Sequence, residues 1–209
     1  RRHNERLQTL ACVNFKGGSA KTTTTLYLAQ WLALQGYRVL AVDLDPQASL
    51  SAMFGIQPEF DLRWGDTLYG AIRYDDRRKP LKDIIRKTYF HGLDLVPGNL
   101  ELMEFEHETP HMLTGARRSE GGMFFERVGH ALATVQDDYD LVVIDCPPQL
   151  GYLTLGAVCA ATSLLITIHP QMVDVASMSQ FLLMASDLMR VVREAGGDLS
   201  HDFIRYVVT

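Results

Sequence analysis

Short runs of apolar and β-branched residues alternate with longer helix-like segments along this chain, and this alternation restricts the fold more than any other feature. Six runs are typical of strands, at residues 8–14, 38–43, 93–97, 140–145, 163–168 and 203–208. Apolar residues at helical spacing predict helices at about 21–35, 99–107, 120–136, 152–160 and 174–195. Strands that alternate with helices form parallel sheets, and strands covered on both faces are apolar throughout. The sequence therefore predicts an α/β protein with a mostly parallel, twisted sheet and helices on both faces.

The composition favours one globular domain over residues 1–209, since 47% of the residues are hydrophobic and 22% are charged. The chain begins close to its first predicted strand and ends on its last. We therefore expect it to be a fragment of a longer protein. The formal net charge of −5 means that any contact with nucleic acid must come from a local basic patch.

The three cysteines lie far apart inside apolar runs, a pattern typical of reduced thiols in a cytosolic protein. The sequence shows neither a signal peptide pattern nor an apolar stretch near the roughly 20 residues that a membrane span needs. These features predict a cytoplasmic protein.

The stretch 14-NFKGGSAKTTTT-25 connects the first predicted strand to the first predicted helix. It lacks the two glycines of the usual phosphate-binding loop, because Phe15 and Ala20 occupy their positions. A strand, a loop with Gly17 and Gly18, and a helix start nevertheless bring backbone N–H groups and the helix dipole to one point, which favours an anion. The alternative is an ordinary glycine-containing turn before a helix.

The chemistry of a phosphate-binding loop assigns roles to three residues at the start of that helix. Lys21 would place its ammonium between the β- and γ-phosphates, and the hydroxyl of Thr22 would bind Mg²⁺. Thr23 lies one residue further along and can reach the α-phosphate.

Carboxylates end two of the other predicted strands. Asp43 and Asp45 stand in 39-VLAVDLDPQAS-49, and Asp145 stands in 141-LVVIDCPPQLG-151. Ligands of parallel sheets bind beyond the carboxyl ends of the strands, and Asp145 has the form of a carboxylate that binds Mg²⁺ through water. Each segment also has a plain structural interpretation, since Asp-Pro opens turns and a buried strand can end in a polar residue.

Together these motifs resemble the ParA/MinD family of deviant Walker ATPases. The family pattern Lys-Gly-Gly-x-x-Lys-Thr-[Thr/Ser] is present as 16-KGGSAKTT-23, Asp-x-Asp-Pro-Gln as 43-DLDPQ-47, and Asp-x-Pro-Pro as 145-DCPP-148. The stretches 43-DLDPQAS-49 and 170-PQMVDVASMSQFL-182 look most like the plasmid-partition branch, particularly the RepA proteins of repABC-type plasmids. The match covers nearly the whole chain.

This resemblance implies a P-loop NTPase fold that dimerises face to face around two ATP molecules. Its nucleotide-binding segment would comprise Lys16, Gly17, Gly18, Ser19, Ala20, Lys21, Thr22 and Thr23. The implied catalytic residues are Lys16, which reaches the partner's phosphates, Lys21, and Asp45, which positions the attacking water. The implied magnesium residues are Thr22, Asp43 and Asp145.

The function implied by the resemblance is plasmid DNA partitioning by a slow, Mg²⁺-dependent ATPase that binds ATP and ADP. The ATP dimer would bind DNA without sequence preference, and a ParB-type partner would stimulate hydrolysis. Such a protein works in the cytoplasm on nucleoid or plasmid DNA rather than on a membrane, and an upstream helix-turn-helix region would read an operator. Two alternatives remain at this point: a MinD-like ATPase that acts at a membrane surface, and a nucleotide-dependent DNA-binding repressor with little turnover.

The sequence departs from the family pattern in two ways, and one charged segment has two possible interpretations. Ala20 stands where family members commonly have glycine, and its methyl group could crowd the phosphates or resist a positive φ angle. Partition ATPases with an N-terminal extension vary at this position, so we expect nucleotide binding to survive. The upstream helix-turn-helix region and the C-terminal segment of the long partition ATPases are absent. The run 73–87, with seven basic and three acidic side chains, is either a solvated surface or a patch that contacts DNA or a partner.

Overall fold

A computed structural model of the protein describes residues 7–14, 20–114, 122–169, 175–194, 196 and 201–208. Within these ranges seven strands form one sheet in the order β3-β4-β2-β5-β1-β6-β7, and every neighbouring pair is parallel except β3 and β4. The strands are β1 (Gln8–Asn14), β2 (Val39–Asp43), β3 (Arg86–Lys87), β4 (Leu93–Val96), β5 (Leu141–Asp145), β6 (Ser163–Ile168) and β7 (Phe203–Val208).

Helices lie on both faces of this sheet. They are α1 (Lys21–Leu34), α2 (Ser49–Met53), α3 (Pro58–Asp61), α4 (Tyr69–Ile72), α5 (Leu102–Thr114), α6 (Arg127–Ala133), α7 (Tyr152–Ala160) and α8 (Val175–Glu194), with 3-10 turns at Leu81–Asp83 and Phe124–Glu126. Successive strand residues point to opposite faces, so Ala41 packs in the cluster under α1 and α2, whereas Val42 packs in the cluster under α5, α6 and α7. Both faces are thus buried, as the apolar strand runs predict, and the predicted fold class is confirmed.

The predicted strands agree with the structure to within one residue at each end, while two predicted helices differ. The helix expected at 99–107 is α5, which continues through Pro110 to Thr114. The helix expected at 120–136 is a 3-10 turn followed by the seven-residue α6, with residues 120 and 121 outside the described part. Proline weakens a helix without always ending it, which is why residue propensity misplaced the end of α5.

The segment 55–91, between α2 and β4, contains two one-turn helices and the unpredicted strand β3. This strand has only two residues, Arg86 and Lys87, and it forms the edge of the sheet by pairing antiparallel with β4. Two charged residues carry no alternating apolar signal, so the pairing depends on the neighbouring strand and not on local sequence.

The basic run 73–87 is largely neutralised by ion pairs. Four of its seven basic side chains contact carboxylates: Arg73 with Asp75, Lys79 and Arg86 with Asp66, and Lys87 with Asp94. Arg73 is also buried and lies over the ring of Tyr69. These contacts favour the structural interpretation of the run over a free basic patch.

The cysteines are free thiols, as expected. Cys12 and Cys146 are buried and Cys159 is half-buried. None of the helices in the described part of the chain combines the length and the apolar character that a membrane span needs.

Candidate functional site

The carboxyl ends of β1, β2 and β5 meet at one point of the sheet edge. In the strand register, Asp145 lies opposite Cys12 of β1 on one side and opposite Asp43 of β2 on the other. Residues about 100 positions apart in the sequence are therefore direct neighbours. The helix α1 begins at the same edge with Lys21.

Lys21 and Asp145 form a buried ion pair at this edge. The ammonium of Lys21 donates to Oδ1 of Asp145, and the two residues are 2% and 0% exposed. The hydroxyl of Thr22 donates to Oδ2 of the same carboxylate at 2.9 Å. Thr25, one helical turn further on, lies with its hydroxyl 3.5 Å from Oδ1. The structure thus brings together Lys21, Thr22 and Asp145, which the sequence assigned to one site.

Lys21 retains its positive charge despite its burial. Burial opposes the charge on Lys21, but the adjacent carboxylate of Asp145 outweighs it, so the pKa of Lys21 lies above its ordinary value. Burial raises the pKa of Asp145, while Lys21 and Thr22 act in the opposite direction. The result is a cation held at a helix N-terminus, where an anion is favoured.

Asp43 is fully buried, and its carboxylate accepts three hydrogen bonds. Its Oδ2 accepts from the backbone N–H of Ser51 at 2.8 Å and from the Ser51 hydroxyl at 2.6 Å, and its Oδ1 accepts from the N–H of Asp45 at 3.2 Å. Burial, together with the nearby charge of Asp145, raises the pKa of Asp43 to about 7, although the bonds from Ser51 oppose this. The magnesium role expected for Asp43 stays a prediction, because the bonds described here join it to α2 and to the Asp45 turn.

Asp45 opens the turn that leads from β2 into α2. Its Oδ1 accepts from the N–H of Gln47 at 2.9 Å, and its backbone carbonyl accepts from the N–H of Ala48 at 2.9 Å. Asp45 is buried, and its negative charge acts on both Lys21 and Asp145. Asp45 therefore lies close to the buried pair.

The phosphate-loop residues Lys16, Gly17, Gly18 and Ser19 lie outside the described residues, as does Phe15. Ala20 is described, and its φ angle is −67°. The alternative in which alanine resists a positive φ at this position is therefore wrong, and the expectation that nucleotide binding survives stays a prediction. The carbonyl of Ala20 accepts the first helical bond of α1, from the N–H of Thr24 at 2.8 Å.

Sequence reasoning missed two residues of this region, Ser51 and Gly98. Ser51 follows Ser49 by two positions, and both are plausible residues for a helix start. Gly98 follows a proline, which by itself indicates only a turn. Their contacts with Asp43 depend on tertiary structure, so no local signal could have separated them from ordinary turn residues.

The donor set suits a hydrated magnesium ion and a phosphate. Among the residues that the structure describes, no three His, Cys, Asp or Glu side chains form a ready-made metal cage. Mg²⁺ typically retains waters and binds one or two carboxylates together with substrate phosphates. A hydroxyl from Thr22 and a carboxylate from Asp145, beside the ammonium of Lys21, fit that mode of binding.

Comparison with known proteins defines the class. The family model described as AAA domain (AAA_31) matches residues 7–195, and the chain belongs to this family. Within that class the chain is 57% identical over 210 residues to a Rhizobium rhizogenes protein named as a replication protein A, covering 100% of this chain and 52% of the relative. It is 35% identical over 175 residues to a ParA family protein of Chlamydia muridarum, covering 83% of this chain and 63% of the relative. The resemblance to ParA proteins is thus confirmed.

A solved structure shares the fold. Cobyrinic acid a,c-diamide synthase from Mycobacterium smegmatis, with bound ADP and magnesium, matches with a TM-score of 0.77 and 29% identity, over 96% of this chain and 73% of that one. The chain spans about half the length of the Rhizobium relative.

Proposed function

We propose that this chain is the ATPase part of a ParA-type partition switch, in which ATP and Mg²⁺ bind at the carboxyl ends of β1, β2 and β5. The observation that carries the proposal is the buried cluster of Lys21, Thr22 and Asp145 at the start of α1. The neighbour of known structure that holds ADP and magnesium supports the same assignment.

In this mechanism the ammonium of Lys21 binds the β- and γ-phosphates. It thereby exchanges its ion-pair partner, from the carboxylate of Asp145 to the nucleotide. Thr22 and Asp145 would hold a magnesium ion, which would neutralise phosphate charge. Asp45 orients the attacking water, and its bond from the Gln47 N–H limits the rotation of its carboxylate. Lys16 supplies a second cation to the partner's phosphates, much as an arginine finger does.

The cycle coupled to this site is that of a partition protein. ATP drives homodimerisation, the dimer binds DNA without sequence preference, and a ParB-type partner stimulates slow hydrolysis that resets the dimer. Operator binding would require the upstream region found in long partition ATPases. The protein would act in the cytoplasm on nucleoid or plasmid DNA. Support comes from the ParA family relative and from the Rhizobium relative.

The test compares Lys16→Ala with Lys21→Ala, and Lys87→Ala serves as the control because Lys87 is exposed and lies on β3 at the edge of the sheet. Binding of a fluorescent ATP analogue, dimer formation by light scattering, and phosphate release with and without DNA and partner are measured. We expect Lys21→Ala to lose nucleotide binding, and Lys16→Ala to bind nucleotide but neither dimerise nor hydrolyse it.

Two results would contradict the proposal. If the two site variants bind nucleotide equally well or equally poorly, the division of labour between the lysines is wrong. If the unaltered protein releases no phosphate with DNA and partner present, the chain is a nucleotide-dependent binding protein and not an ATPase.

A further inference from the structure

The side chain of Ser51 joins three segments behind the candidate site. Its hydroxyl accepts a hydrogen bond from the N–H of Gly98 at 3.0 Å, in the loop after β4. A hydroxyl has one proton, and the short 2.6 Å contact with the ionisable carboxyl of Asp43 directs that proton to Oδ2. Ser51 is completely buried, so water does not compete for these bonds. We call Asp43, Ser51 and Gly98 the clamp.

Gly98 is the member of the clamp that allows the close approach. A Cβ atom at this position would lie 2.6 Å from the backbone oxygen of Asp43, 3.1 Å from its Cγ and 3.2 Å from the backbone oxygen of Asp45. The first of these distances is shorter than any van der Waals contact, and its partner is backbone. Only glycine lets the loop after β4 lie against the end of β2.

The clamp is connected to Asp45 by a hydrogen bond between the Asp43 side chain and the Asp45 backbone. Asp43 Oδ1 accepts the N–H of Asp45 at 3.2 Å, and the turn that follows places Ala48 in the left-handed region, with φ of 57°. A non-glycine residue there is strained, and such a conformation persists only where the surroundings hold it in place. The bonds of Ser51 to Asp43, at the first turn of α2, provide this restraint.

We infer that Ser51 and Gly98 are positioning residues that fix the Asp45 turn through Asp43, and thereby set the rate of hydrolysis without touching the nucleotide. The kinetic half of this inference rests on the proposed function, because it assigns the attacking water to Asp45. The positioning half does not depend on that function.

The first experiment measures amide hydrogen exchange in the nucleotide-free protein. Ser51→Ala is compared with Ser49→Ala, since Ser49 is an exposed residue of the same short helix. We expect exchange at the amides of Asp45 and Gly98 to increase about 10-fold or more in Ser51→Ala and to stay unchanged in Ser49→Ala. The Gly98 N–H loses its acceptor, the Ser51 hydroxyl, and the Asp45 N–H bonds to a carboxylate that this hydroxyl no longer holds in place. Unchanged exchange in Ser51→Ala would overturn the inference.

The second experiment measures hydrolysis and nucleotide affinity. Misplacement of a catalytic group by about 1 Å can reduce turnover about 100-fold, so we expect kcat of Ser51→Ala to fall about 10- to 100-fold while affinity for a fluorescent ADP analogue stays the same. In an Asp45→Asn background, Ser51→Ala should cause no further loss, since both changes act on one group. Additive losses, or a kcat equal to that of Ser49→Ala, would refute the kinetic half.

Two further variants keep the test decisive if Ser51→Ala does not fold. Ser51→Cys keeps the shape of the side chain but donates weakly, so a smaller increase in exchange and a smaller loss of kcat are expected. Ser51→Thr keeps the hydroxyl and should retain most activity if it folds. A wild-type chain without ATP hydrolysis would count against the proposed function alone, since the exchange measurement still decides whether Ser51 positions the turn.

Discussion

Replacement of Lys21 by methionine removes the ammonium that pairs with Asp145 and keeps most of the side-chain length. Both residues are buried, so the carboxylate would retain one neutral donor at full strength, the hydroxyl of Thr22 at 2.9 Å, because the Thr25 hydroxyl donates to the carbonyl of Lys21 at 2.8 Å. Removal of one partner from a buried ion pair typically costs about 3–5 kcal/mol. At about 2–4 °C per kcal/mol for a domain of this size, we expect Tm to fall by roughly 6–20 °C.

The assay is urea and thermal unfolding of nucleotide-free protein in the presence of a chelator. The double variant Lys21→Met with Asp145→Asn removes both charges, and the asparagine oxygen can still accept from Thr22. Because a buried pair replaced by neutral groups is often tolerated, we expect the double variant to recover most of the lost stability. Lys87→Met is the matched control: its pair with Asp94 spans 2.9 Å at the surface, and such pairs contribute less than about 1 kcal/mol.

Two outcomes would refute this reasoning. The pair would not be a desolvated ion pair if Lys21→Met unfolded at the same urea concentration as Lys87→Met. The coupling would be absent if the losses from Lys21→Met and Asp145→Asn simply added in the double variant.

Three further predictions follow from the described contacts. Ala20→Gly should leave nucleotide affinity unchanged or slightly weaker in a binding titration, because φ at this position is already negative; a large gain would show that the methyl group obstructs the phosphates. Glu106→Ala should lower the free energy of unfolding by about 1–2 kcal/mol, because its carboxylate accepts two N–H groups in the first turn of α7, both at 2.9 Å; no loss would mean that water replaces it. Cys12 and Cys146 should not react with a thiol reagent at pH 8 until the protein unfolds. Burial raises the pKa of Cys12 to about 12 and raises the pKa of Cys146 as well, so neither thiol forms the reactive thiolate. Rapid labelling of either cysteine would contradict their burial.

The strands and the main site cluster were predictable because their signals are local. Runs such as 141–145 are apolar to their last residue and then end in a carboxylate, so the same few residues specify both the strand and the position of Asp145. The fold class follows once such runs alternate with helices. Lys21 and Thr22 could likewise be placed beside Asp145, because the carboxyl ends of parallel strands share one edge of the sheet.

The remainder depended on contacts between distant segments. Ser51 and Gly98 are 47 positions apart and meet only because β2 and β4 are neighbours in the sheet. The strand β3 forms only by pairing with the outer side of β4. The helix α5 continues through Pro110 because packing outweighs the lost hydrogen bond. Local propensity carries no information about any of these partners.

The order of the sheet has a consequence for synthesis of the chain. The strand β5 lies between β1 and β2, yet it leaves the ribosome about 100 residues after β2. Until it arrives, β1 and β2 have no common neighbour, and the contact between Lys21 and Asp145, 124 positions apart, cannot form. Nascent chains of this protein should therefore hold an unfinished sheet centre until β5 inserts, and nucleotide affinity should appear only after that step.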